Sequence, residues 1–283
     1  MTERPTTQAS TIIEPTRGWR FLNLREMLHY RELVYFLTWR DIKVRYKQTA
    51  VGIAWAVIQP FAMMMVFTLF FGRLAGFEKE MTTPYPLFAF AGLLPWQLFA
   101  RTLSETTNSL VTDQRLITKV YFPRILVPTS YCLAALIDFA IGTVLLVLLM
   151  LGFGVVPGPE VVWFPVFMVL MLLTTLGVGF WLSALNAEYR DVMYCVPFLT
   201  QLWLFLTPVV YPSSMVPEQF RWLLGLNPMT GVVEGVRWSL FGYGDGPGLA
   251  TVVSALVALA LFLGGIVWFR ARERTLVDAL GGQ

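Results

Sequence analysis

Few side chains in this sequence are of the types that do covalent chemistry. His29 is the single histidine, which excludes a multi-histidine metal site. Cys132 and Cys195 both fall in apolar segments, where a free cysteine acts as a small hydrophobe more readily than as half of a disulfide. The chain has no GxxxxGK[ST] loop, so the backbone cradle and lysine that hold nucleotide phosphates are missing. No catalytic set and no metal set emerges. The charges that stand out do so by position. Asp138 is the one acid deep in the apolar run 125–151, and Arg101 lies at a similar depth in the run 85–111. A charge at a bilayer centre costs roughly 2.5–3.5 kcal/mol on insertion scales, so such groups pair or face water. The expectation is an Arg101–Asp138 pair, with Glu105, one helical turn on, sharing the arginine. Lining a transport path is the second reading, and a lone acid makes a poor proton relay.

Those charges need membrane helices to hold them. The chain is 56% hydrophobic and 14% charged, with mean hydropathy +0.63. Soluble domains carry about 25% charged residues. An integral membrane protein is the reading, and a net charge of +3 gives no support to a nucleic-acid partner. Crossing a core of ~30 Å takes about 20 helical residues. Six runs qualify: 51–71, with Pro60 as an expected kink, 85–111, 125–151, 161–185, 192–211 and 249–269. No 20–50-residue period repeats, so a solenoid is excluded. The polar start holds no apolar run of the signal-peptide kind. Sixteen of the 21 Lys and Arg residues fall on one side of this topology. Basic segments stay in the cytoplasm, so both termini are expected there.

Four bases, Arg40, Lys43, Arg45 and Lys47, end abruptly at the uncharged run 48–72. Leu28, Tyr35, Trp39, Ile42 and Tyr46 are spaced as one apolar helix face. The expectation is an amphipathic interface helix over 23–47, its bases on lipid phosphates. A lateral doorway or a partner contact is the sharper alternative. The loop 112–124 reads as a short helix. Asp113 is its cap, Arg115 and Lys119 sit at i, i+4, and Leu116, Ile117 and Val120 form an apolar side, with Tyr121 leading out. Between the fifth and sixth runs, 212–245 reads as two helices too short to span. Pro217 opens the first. Asn227 caps the second, with Pro228 at its first position and Gly242 after it. Glu234 and Arg237 are three apart and are expected to pair. A re-entrant outer hairpin suits these lengths.

Four stretches, "LTWRDIKVRYKQTAVGIAWAVIQP", "GLLPWQLFARTLSETTNSLVTDQRLITKVYFPR", "NAEYRDV" and "YPSSMVPEQFRWLLGLNPMTGVVEGVRWSLFG", resemble in order and spacing the permease subunit of type 2 ABC exporters. The likeness covers about residues 25–270 and is greatest to exporters of O-antigen, teichoic acid and capsule. It implies an all-helical homodimer of six-span subunits in the bacterial inner membrane, working with two ATPase subunits that hold ATP and Mg. It implies a lipid-linked glycan cargo, commonly on undecaprenyl diphosphate. It also implies that 112–124 docks on the ATPase, through Asp113, Arg115, Leu116, Lys119, Val120 and Tyr121. The outer hairpin (Pro217, Arg221, Pro228, Glu234, Arg237) would be an exit gate, held only by packing. The domain plan is a polar tail 1–22, the interface helix 23–47, the transmembrane unit 48–270 and a tail 271–283. Sugar rings stack on aromatic faces, so Trp55, Trp203, Phe205 and Tyr211 are lining candidates, with helix packing as the alternative. An exporter of a drug, antibiotic or lipid keeps the family and changes the cargo. A membrane enzyme on polyprenyl-linked sugars would need clustered acids or bases at one face, which the sequence lacks. A secondary transporter would need an internal repeat.

Overall fold

The computed structural model describes residues 30–47, 54–79, 81, 83–244 and 246–281. The expected polar tail 1–22, Leu28 and His29, and the junction 48–53 lie outside these. Ten α-helices and short 3-10 turns make up the described residues, and no β-strand occurs among them. The helices are α1 (Arg31–Lys47), α2 (Ala54–Phe67), α3 (Tyr85–Thr112), α4 (Gln114–Lys119) and α5 (Leu126–Gly152), followed by α6 (Phe164–Glu188), α7 (Val192–Leu206), α8 (Glu218–Leu226), α9 (Pro228–Phe241) and α10 (Leu249–Gly281). Pro60 sits inside α2, which continues as wider π-helical turns over Thr68–Leu74.

Among the described residues four segments are long and apolar enough to cross a membrane: Val57–Leu74, Leu126–Gly152, Pro159–Glu188 and Leu249–Glu273. The other two expected spans differ for separate reasons. Helix α3 is long enough but more polar, because nineteen of its 28 residues are buried in protein. Its buried Thr106, Thr107 and Ser109 hydroxyls donate back to carbonyls three or four residues earlier. A polar side chain satisfied in this way can sit in a core. Helix α7 was expected to reach residue 211 but stops at Leu206. Thr207 is extended (φ −107°, ψ 136°) ahead of Pro208, as the residue before a proline prefers. At 15 residues α7 is about 22 Å long, short of a full bilayer core.

Helix α3 is the central post. It packs on α5, α6, α2, α7 and α9, and its Leu87, Phe90, Leu93 and Phe99 belong to the main core with Phe167, Val232 and Val236. The most extensive pairing is α6 with α10. Gly177 makes it possible, because a Cβ there would stand 2.7 Å from the backbone nitrogen of Phe262. Helices driven by van der Waals packing in lipid need such small residues. Gly177→Ala must therefore part the two backbones. The expected cost is about 1–3 kcal/mol, read as a lowered unfolding midpoint of the detergent-solubilised protein. An unchanged midpoint would contradict the packing.

The tail expected from residue 271 continues α10 as helix to Gly281. Leu276 is fully buried in a second cluster with Ile117, Ile125 and Phe269. Glu273 accepts from the Arg124 backbone N–H (2.8 Å), and Arg272 donates to Glu188 at 2.5 Å. Near its C-terminal end, α10 is thus tied to the loop before α5 and to the end of α6.

Candidate functional site

At the α4 end, three elements bring charges together. Helix α1 lies along α5 and turns Leu33, Val34 and Leu37 toward the protein, with Leu37 only 1% exposed. The expected apolar stripe points elsewhere, since Tyr35 and Trp39 are 71% and 45% exposed. About two turns after Leu37, Arg45 donates to Asp138 Oδ2 at 2.7 Å and to the Glu105 carboxylate. Arg101 Nε donates to Glu105 at 3.0 Å, and its Nη1 stands 3.2 Å from Asp138 Oδ2. The Tyr46 hydroxyl donates to Asp138 Oδ1. Two guanidiniums and two carboxylates make a neutral set, which is how charge is tolerated at this depth.

Arg40 heads a second set, donating to Asp113 at 2.6 Å and to Asp41 at 2.7 Å. Ser130 donates to the other Asp41 oxygen at 3.2 Å. Burial pushes the Asp41 carboxyl above its ordinary value, while Arg40 and Ser130 pull it back. Burial alone would lower the Arg40 guanidinium, but bonds to Asp113 and Asp41 outweigh it and hold it raised.

These contacts correct two expectations. Arg40 and Arg45 face carboxylates rather than lipid phosphates, because a buried acid binds a guanidinium fork more tightly than mobile headgroups do. Lys43 and Lys47 stay exposed, with Lys43 Nζ 5.4 Å from the Trp39 ring centroid. Asp113 makes no capping bond at α4, its carboxylate being committed to Arg40. Arg45, Tyr46 and Asp41 were not expected in the network. A charge count would have found Arg45: Glu105 and Asp138 outnumber Arg101, so a collar base was needed.

Helix α4 buries Ile117 and half-buries Leu116 against the α10 cluster. Arg115, Thr118, Lys119, Val120 and Tyr121 are left exposed. Val120 and Tyr121 are 52% and 67% accessible. The result is a basic face with two apolar side chains.

At the other end, α8 and α9 form the expected short pair. Asn227 caps α9, its side chain accepting from Met229 N at 3.1 Å, and Gly242 ends it at φ 63°. The expected Glu234–Arg237 pair does not form. Arg237 is fully buried and donates to three carbonyls: Phe88 (3.1 Å), Pro208 (2.6 Å) and Val209. Its guanidinium carbon also lies 3.5 Å from the Phe88 ring centroid. Helix α7 ends at Leu206, which leaves the Pro208 and Val209 carbonyls without helical donors inside the protein, and Arg237 satisfies them. Nor is the hairpin loosely held throughout. Helix α9, with Pro228, is among the most buried elements, whereas α8 is mostly exposed.

Of the aromatic candidates, Trp203 is taken up by packing. Its indole N–H donates to Asn227 at 3.0 Å, and its ring meets Phe99 edge-on at 5.1 Å. The Tyr211 hydroxyl donates to the Phe205 carbonyl at 3.0 Å. Trp55 and Phe205 are 57% and 59% exposed. Each has an exposed glutamine four residues away, Gln59 and Gln201. Cys132 is buried, Cys195 exposed, and both are free. Among the described residues no group of three or more His, Cys, Asp or Glu could hold a metal.

A family model described as ABC-2 type transporter matches residues 32–241. The chain is 29% identical over 259 residues to "O-antigen export system permease protein RfbA" of Myxococcus xanthus, covering 91% of this chain and 98% of that one. It is also 29% identical over 207 residues to a protein of the same name from Klebsiella pneumoniae, covering 73% and 79%. To "Polysialic acid transport protein KpsM" of Escherichia coli it is 21% identical over 246 residues, covering 85% and 93%.

Proposed function

The chain belongs to the ABC-2 type transporter family, and from that premise we propose that it is the membrane-spanning subunit of an ATP-driven polysaccharide exporter. The observation that carries this reading is the likeness to an O-antigen export permease over 98% of that protein's length. The subunit is a membrane protein and a permease, not the enzyme of the pair. Its cargo is a lipid-linked glycan, and ATP and Mg are bound by two copies of a separate ATPase.

In this reading all six expected segments cross the inner membrane, with α3 shielded inside the bundle and α7 completed by the turns after Leu206. Both ends are cytoplasmic, in keeping with the side that collects the bases. The α8–α9 pair dips into the outer leaflet as a re-entrant hairpin. The domain plan keeps its transmembrane unit and gains the α10 extension as part of the cytoplasmic end. Two copies pair, with α2 and α7 toward the path. Lipid cannot satisfy the exposed amides of Gln59 and Gln201, and a path between two copies would. Trp55 and Phe205, beside those glutamines, are the aromatic surfaces for sugar rings. Exposed Lys43 and Lys47 are the bases left for lipid headgroups. As the exposed member of the outer pair, α8, with Pro217 and Arg221, carries the gate role.

The basic face of α4 is the ATPase contact. Arg115→Glu combined with Lys119→Glu is expected to weaken co-purification of the ATPase at least tenfold and to stop surface display of the glycan. Normal complex formation in the double variant would refute the contact. Surface glycan unchanged in a deletion strain would refute export.

A further inference from the structure

Beneath the loop that joins α9 to α10 lies a cavity of about 330 Å³, walled by Ser213, Ser214, Arg221, Glu234, Trp238 and Tyr243. A second hollow of about 210 Å³ shares Pro212, Ser214 and Tyr243 with it. Together they form an elongated, two-lobed recess. The wall is built rather than incidental. Gly246, at φ 78°, carries the loop over Trp238 so closely that a Cβ there would stand 3.0 Å from the indole nitrogen. Arg221 holds the opposite side, donating to the Val216 and Ser214 carbonyls at 3.0 and 3.1 Å.

The polar groups at the recess divide into two kinds. Every nitrogen of the Arg237 guanidinium is engaged by a backbone carbonyl, so it serves as a floor. Glu234, Trp238 and Tyr243 line the same cavity and form no side-chain hydrogen bond with the described residues. They offer a carboxylate acceptor, an indole N–H donor and a phenol that does both. Two aromatic surfaces stand with them.

We propose that this recess is a saccharide-binding site on the outer face of the protein, taking a short neutral sugar segment. Vicinal hydroxyls would donate to Glu234 and accept from Trp238, while C–H faces lie on Trp238 and Tyr243. The other ligand classes fit less well. A phosphate would meet the Glu234 carboxylate, with three of the five Arg237 N–H groups and two of those of Arg221 already held by carbonyls; a metal would find one acid among the described lining residues, and an apolar ligand would bury unpaired polar groups. The volume is at the small end of ligand pockets, which suits a few rings rather than a polymer. The proposal rests on the export reading for its sidedness and its cargo.

The test is saturation-transfer NMR on the full-length protein in nanodiscs. The probes are oligosaccharides released by mild acid from the host cell's own surface glycan. Wild type is expected to transfer saturation to them. Glu234→Gln, which keeps the shape, should weaken binding at least tenfold, and Trp238→Phe should do the same by losing the N–H. If Trp238→Phe fails to fold, Tyr243→Phe replaces it with a several-fold loss expected. No transfer in wild type, or equal transfer in wild type and Glu234→Gln, overturns the site. A deletion strain provides the separate arm. Lost surface glycan together with no transfer sinks the pocket and leaves export standing, whereas retained glycan sinks export.

Discussion

Arg237→Ala is expected to lower the unfolding midpoint of the solubilised protein by roughly 5 °C. The arginine is fully buried and joins three segments through the carbonyls of Phe88, Pro208 and Val209. Pro208 and Val209 lie where α7 has ended, so no helix supplies their donors. Each buried polar group left unpaired costs about 1–3 kcal/mol. A total near 3 kcal/mol corresponds to a shift of about that size. Arg237→Lys should recover only part of it, because one ammonium cannot reproduce a planar fork aimed at three acceptors. Gly92 reports on the same seat, since a Cβ there would meet both the guanidinium and the Val209 carbonyl. Thermal melts followed by fluorescence-detected size exclusion decide the matter. An Arg237→Ala midpoint equal to wild type would show that the three carbonyls do not depend on it.

Asp138→Ala is expected to cost about 3 kcal/mol, the range seen when a buried ion pair loses one partner. Its carboxylate serves Arg45, Arg101 and the Tyr46 hydroxyl. Loss of Asp138 leaves Glu105 alone against two guanidiniums. Adding Arg101→Ala should restore only part of the stability, because Arg45 still leans on the empty position. Adding Arg45→Ala should restore more. Arg45→Glu should be worse than any single truncation, because it sets a third carboxylate beside Glu105 and Asp138. Additive losses across Asp138→Ala and Arg45→Ala would mean that the two do not interact. Helix α1 should loosen with the network, and faster proteolysis within 31–47 in Asp138→Ala would report it.

Residue order carried the membrane character, the apolar segments over 125–151, 161–185 and 249–269, and the two short helices α8 and α9. The reason is local. Long apolar runs need lipid or a buried core, and Asn227, Pro228 and Gly242 act through their own backbone positions. The depth match of Arg101 and Asp138 was also legible, because 1.5 Å per residue turns sequence distance into depth. Choice among partners was not legible. Glu234 lies one helical turn from Arg237, yet Arg237 takes carbonyls, because α7 ends at Leu206 and leaves acceptors that only tertiary packing brings within reach. Arg40 and Arg45 read as a lipid-facing collar until α1 lies along α5, where Asp113, Glu105 and Asp138 supply acids from 60 to 93 residues away. Spacing along a helix determines which face a side chain shares. What stands opposite that face is settled only when another helix packs there, and for a buried charge that neighbour decides the pairing.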